Sequence, residues 1–193
     1  QIINPKMDYV IFSQGSKILD TVKLDSNNFF LYRTEKVTSG LYSFRHYENQ
    51  IMYLEPGDSL MLYLNTMDFD ESLAYSGKGA ERNNLLMDFF LSNEIEIHNI
   101  PKWYSLPPTD FLQKIDSTKK VKTEHYKEYR KNNEVTEAFD AVIQANLMYH
   151  YYSQKELYIT ANSNQLATLP PIFFKHRKTI DFNNRNLRFY YPY

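Results

Sequence analysis

The 193-residue chain contains no cysteine, and that one absence removes disulfides, thiolate nucleophiles, zinc–thiolate sites and redox dithiols together. It also lacks an excess of either charge. Its 22 basic and 23 acidic residues leave a net charge of −1, too little for the long-range field that holds a phosphate backbone or an anionic bilayer. Nucleic acid is therefore not an expected partner. No apolar run reaches the roughly 18 residues that a membrane span needs, so no span is expected. The chain opens on Gln1-Ile2-Ile3, a strand-like start without a basic leader, as expected where a signal peptide is absent or already removed.

What is present suffices for a self-standing core. A chain of this length holds one sizeable domain, or a domain of about 100 residues with a smaller companion, without a metal or disulfide staple. A 42% hydrophobic and 23% charged composition argues against disorder. The unusual feature is aromatic content, with 17 Tyr, 13 Phe and one Trp. Tyrosine joins an apolar body to a polar tip, which suits strand faces, interfaces and saccharide contacts alike.

The first 75 residues alternate short strand signals with turn signals, the spacing of an all-β sandwich or barrel. Strands are expected at residues 2–3, 9–13, 17–24, 29–32, 41–47, 50–54, 59–64 and about 73–75. Asn4-Pro5, Gln14-Gly15-Ser16 and Asp25-Ser26-Asn27-Asn28 supply turns. In the strand opened by Gly40, Leu41, Ser43, Arg45 and Tyr47 face one way and Tyr42, Phe44 and His46 the other. Glu55-Pro56-Gly57-Asp58 is the clearest hairpin turn: proline presets φ at its second position and glycine supplies positive φ at its third.

From Gly77-Lys78-Gly79-Ala80-Glu81 the period changes from 2 to 3.6. Leu85, Leu86, Phe89 and Phe90 form the stripe of one helix. Pro101 and Pro107-Pro108 are expected to bracket Trp103 in a loop. A helix over about 109–130 carries Phe111, Leu112, Ile115 and Tyr126, and another running to about Tyr158 carries Val135, Ala138, Phe139, Val142, Ala145, Tyr149 and Tyr152. Periodicity fades from Ala161, and the chain closes on Phe189-Tyr190-Tyr191-Pro192-Tyr193, an aromatic end that expects more chain to pack on. The expected class is α+β, with an antiparallel β-sandwich at 1–76 and a mainly helical region at 77–193 that continues past the last residue.

No pattern singles out a catalytic group. Asp68, Asp70 and Glu71 near Asn65 lack the glycine and distant bidentate glutamate of a helix–loop–helix calcium site and read as a solvated acidic loop. Gly77-Lys78-Gly79 lacks the further glycine and the Lys-Ser/Thr pair of a phosphate cradle and reads as a tight strand-to-helix turn. His46, His98, His125, His150 and His176 match no zinc spacing. There is no Gly-x-Ser-x-Gly elbow, and no two carboxylates stand out as a glycosidase pair. No cofactor, metal or catalytic residue is expected. Aromatics are the one positive signal: Trp103 and Tyr104, Tyr149, Tyr151 and Tyr152, and the terminal Tyr190 and Tyr191 are the candidate partner or ligand contacts.

Three stretches carry a family pattern: Asp20-Thr21-Val22 ahead of Asp25-Ser26-Asn27-Asn28-Phe29; Tyr53-Leu54-Glu55-Pro56-Gly57-Asp58-Ser59-Leu60; and Gly77-Lys78-Gly79-Ala80-Glu81-Arg82-Asn83. Together they resemble the N-terminal domain that precedes the thioredoxin-like domain in TlpA-type envelope thiol–disulfide oxidoreductases of the Bacteroidetes. Leu169-Pro170-Pro171, Ile180-Asp181-Phe182-Asn183 and Tyr190-Tyr191-Pro192-Tyr193 resemble the helical linker region of the same proteins. The resemblance implies an exported, often lipid-anchored protein of the periplasm or outer membrane, with a Cys-x-x-Cys domain downstream. This chain lacks that motif, so no family catalytic residue transfers to it. The expected role is a non-catalytic accessory or interaction module of a thioredoxin-like envelope protein. Its expected partners are the downstream domain, another envelope protein, or a second copy in a weak homo-oligomer. The alternative is a saccharide- or other ligand-binding sandwich using exposed aromatics.

Overall fold

The computed structural model describes residues 1–181, 183 and 187. The chain is α+β, with β-sheets first and a mainly helical part after them. It divides into two compact units, Gln1–Leu91 and Ser92–Tyr193, and the division falls inside one long helix.

In the first unit, strands β1 (Ile2–Ile3), β2 (Tyr9–Gln14), β3 (Lys17–Lys23), β4 (Gly40–His46), β5 (Glu48–Leu54), β6 (Ser59–Asn65) and β7 (Ala74–Lys78) form two sheets. One is four-stranded, ordered β3-β2-β4-β5, and antiparallel throughout. The other is three-stranded, ordered β1-β6-β7. There β1 runs parallel to β6, so the second sheet is mixed rather than purely antiparallel. One core lies between them: Val10, Phe12, Tyr42, Phe44 and Met52 from the first sheet meet Ile2, Leu64 and Tyr75 from the second. On β4 the inward set is Tyr42, Phe44 and His46, as alternation predicts. His46 is fully buried with both ring nitrogens in use: Nδ1 lies 2.9 Å from the Tyr9 carbonyl, and Nε2 accepts from the Lys6 N–H at 3.2 Å. That bonding defines one neutral tautomer and makes His46 a satisfied core residue.

Turn chemistry places the strand ends. Gly15 at φ +58° lets Gln14 pair with Lys17 across a two-residue loop. Gly57 sits at φ +83°, and the Asp58 N–H donates to the Glu55 carbonyl at 3.1 Å, closing the expected hairpin. Asp25 Oδ1 accepts from the N–H groups of Asn27 and Phe29, and Asn28 takes φ +62°. The expected strand at 29–32 does not form. Its alternation is present, since Phe30 and Tyr32 pack on the core while Phe29 and Leu31 are exposed, but it joins no ladder. A short helix α1 (Phe69–Ser72) carries the acidic loop, where Asp70 Oδ1 accepts from Gln50 Nε2.

Helix α2 (Ala80–Trp103) begins in the first unit and ends in the second. The expected loop around Trp103 is instead the end of this helix, which runs through Pro101. A proline in the last turn removes only one intrahelical bond, and the Tyr104 N–H still reaches the Ile100 carbonyl at 3.2 Å. Helix α3 (Pro108–Asn132) starts with proline in its first turn and ends with Arg130 and Lys131, both favourable to the backbone dipole. Helix α4 (Glu137–Ala161) is capped by Thr136, whose Oγ1 accepts from the Phe139 N–H at 3.3 Å. Three short 3-10 turns follow, Ser163–Thr168, Pro171–Phe173 and Lys175–Lys178. The second core gathers Phe111, Ile115, Tyr158, Ile159, Leu169 and Phe173, with Tyr158 stacked on both Phe111 and Phe173.

Candidate functional site

Polar side chains converge at one place in each unit. In the first, consecutive residues at the start of α2 grip both sheets. Asn83, 1% exposed, accepts from the Tyr53 N–H at 2.7 Å and donates to the Tyr53 carbonyl at 2.9 Å. Asn84 makes the same pair of bonds with Tyr75, each 3.0 Å. Tyr53 lies on β5 and Tyr75 on β7, the outermost strands at one end of each sheet order. Each carboxamide thus copies a neighbouring strand's peptide group and closes one unpaired edge. Arg82 adds ion pairs to the β5–β6 turn, 3.2 Å to Glu55 and 2.5 Å to Asp58. Asp58 also accepts from the Glu55 N–H. Close approach explains two glycines here. A Cβ on Gly77 would lie 2.3 Å from the Ser59 carbonyl oxygen, and one on Gly79 would lie 2.7 Å from the Asp58 carboxylate.

The second unit buries a charged cluster. Glu96 Oε1 pairs with Lys122 Nζ at 2.6 Å, while its Oε2 lies 2.9 Å from His150 Nε2 and accepts from Gln154 Nε2 at 2.6 Å. Lys122 also donates to Asn93 Oδ1. Glu96, Lys122 and Gln154 are all buried, so α2, α3 and α4 meet through one carboxylate. Burial alone would raise the Glu96 pKa, but hydrogen bonds and charge from His150 and Lys122 outweigh it and bring it down to about 2. Burial lowers the Lys122 pKa, opposed by Glu96. The adjoining cavity, lined in part by Thr118, Leu147 and Tyr151, has about 10 Å³ of room, enough for the centre of one water molecule.

Beside it, Tyr151 donates its hydroxyl to Asp116 Oδ1 at 2.6 Å and takes two ammonium groups against its ring, Lys119 at 4.7 Å and Lys155 at 4.8 Å. Burial, followed by the bond to Asp116, raises the Tyr151 pKa. Burial lowers those of Lys119 and Lys155.

The other sequence candidates are also engaged within the fold. Trp103 and Tyr104 are half-buried against the second core; Lys114 sits 5.3 Å from the Trp103 ring centre, and the Tyr104 carbonyl accepts from Asn162. Tyr152 stacks on His176 at 4.9 Å and meets Tyr149 edge-on. Tyr149, Tyr151 and Tyr152 are half-buried, and their rings stand at 87° and 57° to one another rather than in a planar row. Tyr190 and Tyr191, with Phe189 and Tyr193, lie outside the described residues. Sequence reading missed Asn83, Asn84, Glu96, Lys122 and Gln154. The available signals were two adjacent asparagines just inside a helix and the i, i+4 pair His150 and Gln154. Among the described residues no group of three or more His, Asp or Glu is placed to hold a metal, and no helix is long and apolar enough to cross a membrane. Comparison of the chain with family models, with curated proteins and with solved structures finds no match in any of the three.

Proposed function

We propose that this chain is a non-catalytic accessory and interaction module of an exported, thioredoxin-like protein of the periplasm or outer membrane, as its resemblance to the N-terminal part of TlpA-type oxidoreductases implies. The observation that carries the reading is the convergence of two of the segments on which the resemblance rests. Tyr53, Glu55 and Asp58 of one segment bond to Arg82 and Asn83 of another, with Gly79 packed against Asp58. Turn signals scattered along a chain need not meet, whereas these form one interlocked node. The strongest polar groups are engaged in holding the fold: both oxygens of Glu96 are occupied, and both amide atoms of Asn83 serve main chain. On this reading the chemistry belongs to a downstream domain, and this chain positions it.

The test has two parts. The reading frame should continue into a Cys-x-x-Cys thioredoxin-like domain, and titration calorimetry of the 193-residue chain with that domain should give a saturable heat. A frame without such a domain, or a titration without binding, overturns the proposal.

A further inference from the structure

Side chains cap main-chain groups on three edge strands of the two sheets, and among the described residues one segment beside the sheets carries no such cap. On β3, the Thr21 N–H is taken by Asp20 Oδ1 at 2.7 Å, and Lys17 and Lys23 put charge along the strand. On β5, Gln50 Oε1 takes the Ile51 N–H at 2.9 Å, and Asn83 takes both main-chain groups of Tyr53. On β7, Asn84 does the same for Tyr75. Such caps and charges are how soluble proteins keep free edges from pairing with another chain.

Residues 29–33, Phe-Phe-Leu-Tyr-Arg, are different. They follow Asn28, whose carbonyl accepts from the Ile2 N–H of β1, so they leave the turn beside the β1-β6-β7 sheet. They are strand-like in pattern: Phe30 and Tyr32 pack on the core, with Tyr32 stacked 4.4 Å from Phe12, while Phe29 and Leu31 face out, Leu31 at 66% exposure. Yet among the described residues the main chain of 30–33 makes no hydrogen bond, and no side chain caps it.

We propose that this segment is a pairing edge for a second copy of the same chain, adding strand to strand in antiparallel fashion about a twofold axis at Leu31. The sequence is self-complementary in that register. Leu31 faces its own symmetry mate, and Phe29 lies across from Arg33, so an apolar contact at the centre is flanked on each side by a guanidinium over an aromatic ring. Arg33 has no hydrogen bond or ion pair within its own chain among the described residues and is free for that role. The proposal is independent of the accessory-module reading, because it needs no downstream domain.

The absence of cysteine makes the register directly testable. A Leu31→Cys variant of the full chain carries one thiol, and the proposed twofold brings two copies of it within the Cα separation of about 4.4–6.8 Å that a disulfide accepts. Mild oxidation should give a covalent dimer, whereas Ile18→Cys, an exposed site on the guarded β3 edge, should give little under the same conditions. In sedimentation, the unmodified chain should dimerise with rising concentration. Leu31→Asp should weaken that association at least roughly tenfold while leaving the melting temperature of the dilute, monomeric protein unchanged. A chain that stays monomeric throughout, equal cross-linking at both positions, or a Leu31→Asp dimer as tight as the original overturns the proposal.

Discussion

The two units use buried polarity differently. In the sandwich unit, Asn83 and Asn84 present neutral amides to main-chain groups that a neighbouring strand would otherwise bond. In the helical unit, Glu96, Lys122, His150 and Gln154 bond mainly to one another. The difference follows from the elements. A sheet has edges with unpaired peptide groups, so its polar problem lies in the backbone. A helix satisfies its own interior backbone, so polar groups buried between helices must find side-chain partners. An amide closing an edge removes a cost, whereas a buried ion pair introduces one that only good geometry offsets.

That contrast predicts its largest effect in the charge cluster. Glu96→Leu leaves the Lys122 ammonium buried without its carboxylate and should destabilise by about 3–5 kcal/mol. The double replacement Glu96→Leu with Lys122→Met should recover most of that loss, and denaturant unfolding of both variants measures it. A double variant as unstable as the single would show that the pair stabilises more than apolar packing does. The same cluster sets an acid dependence. The Glu96 pKa lies below its unfolded value, so its contribution is complete above the ordinary carboxylate range and is lost as pH falls from about 4.5 through about 2. Glu96→Gln should flatten the stability–pH curve in that window, as thermal melts at stepped pH would record, and an unchanged slope would place the acid sensitivity elsewhere.

The glycines sharpen the sandwich half of the comparison. Gly77 and Gly57 both have positive φ, but only at Gly77 would a Cβ meet backbone, 2.3 Å from the Ser59 carbonyl; at Gly57 it meets the flexible Lys78 ammonium at 3.3 Å. Gly77→Ala should therefore cost about 3 kcal/mol or more and Gly57→Ala about 1 kcal/mol. Equal losses would mean that strained φ alone sets both. The smallest effect belongs to Tyr75, whose buried hydroxyl has no partner among the described residues and whose ionisation is disfavoured by burial. Tyr75→Phe should leave stability unchanged or raise it by up to about 1 kcal/mol. A clear loss in melting temperature would reveal a bond to that oxygen.

What the sequence disclosed follows the range of the forces involved. Glu55-Pro56-Gly57-Asp58 was legible because a turn is decided by four adjacent residues. The α3 stripe of Phe111, Ile115 and Tyr126 was legible because helical period is local, and all three are buried. The 29–32 stretch shows the limit. Its aromatic and apolar residues predict a strand, and the structure does turn Phe30 and Tyr32 to the core and Phe29 and Leu31 outward, but a strand also needs a partner, and pairing depends on distant chain. Pro101 and Pro107-Pro108 predict a loop around Trp103, but a proline in a helix's last turn costs little, and the helix runs on through Pro101 to Trp103. Asn83 and Glu96 show a different limit. Polar residues inside a helix look like solvated surface until the chain packed against them is known.

Two adjacent asparagines, Asn83 and Asn84, each hold one strand edge by main-chain mimicry. Native-state hydrogen exchange at the Tyr53 and Tyr75 amides tests it residue by residue. Both amides should be protected in the unaltered chain. Asn83→Ala should speed exchange at Tyr53 while Tyr75 stays protected, and Asn84→Ala should do the reverse. Exchange that leaves both amides unchanged in the two variants, or that rises equally at both in either one, would contradict it.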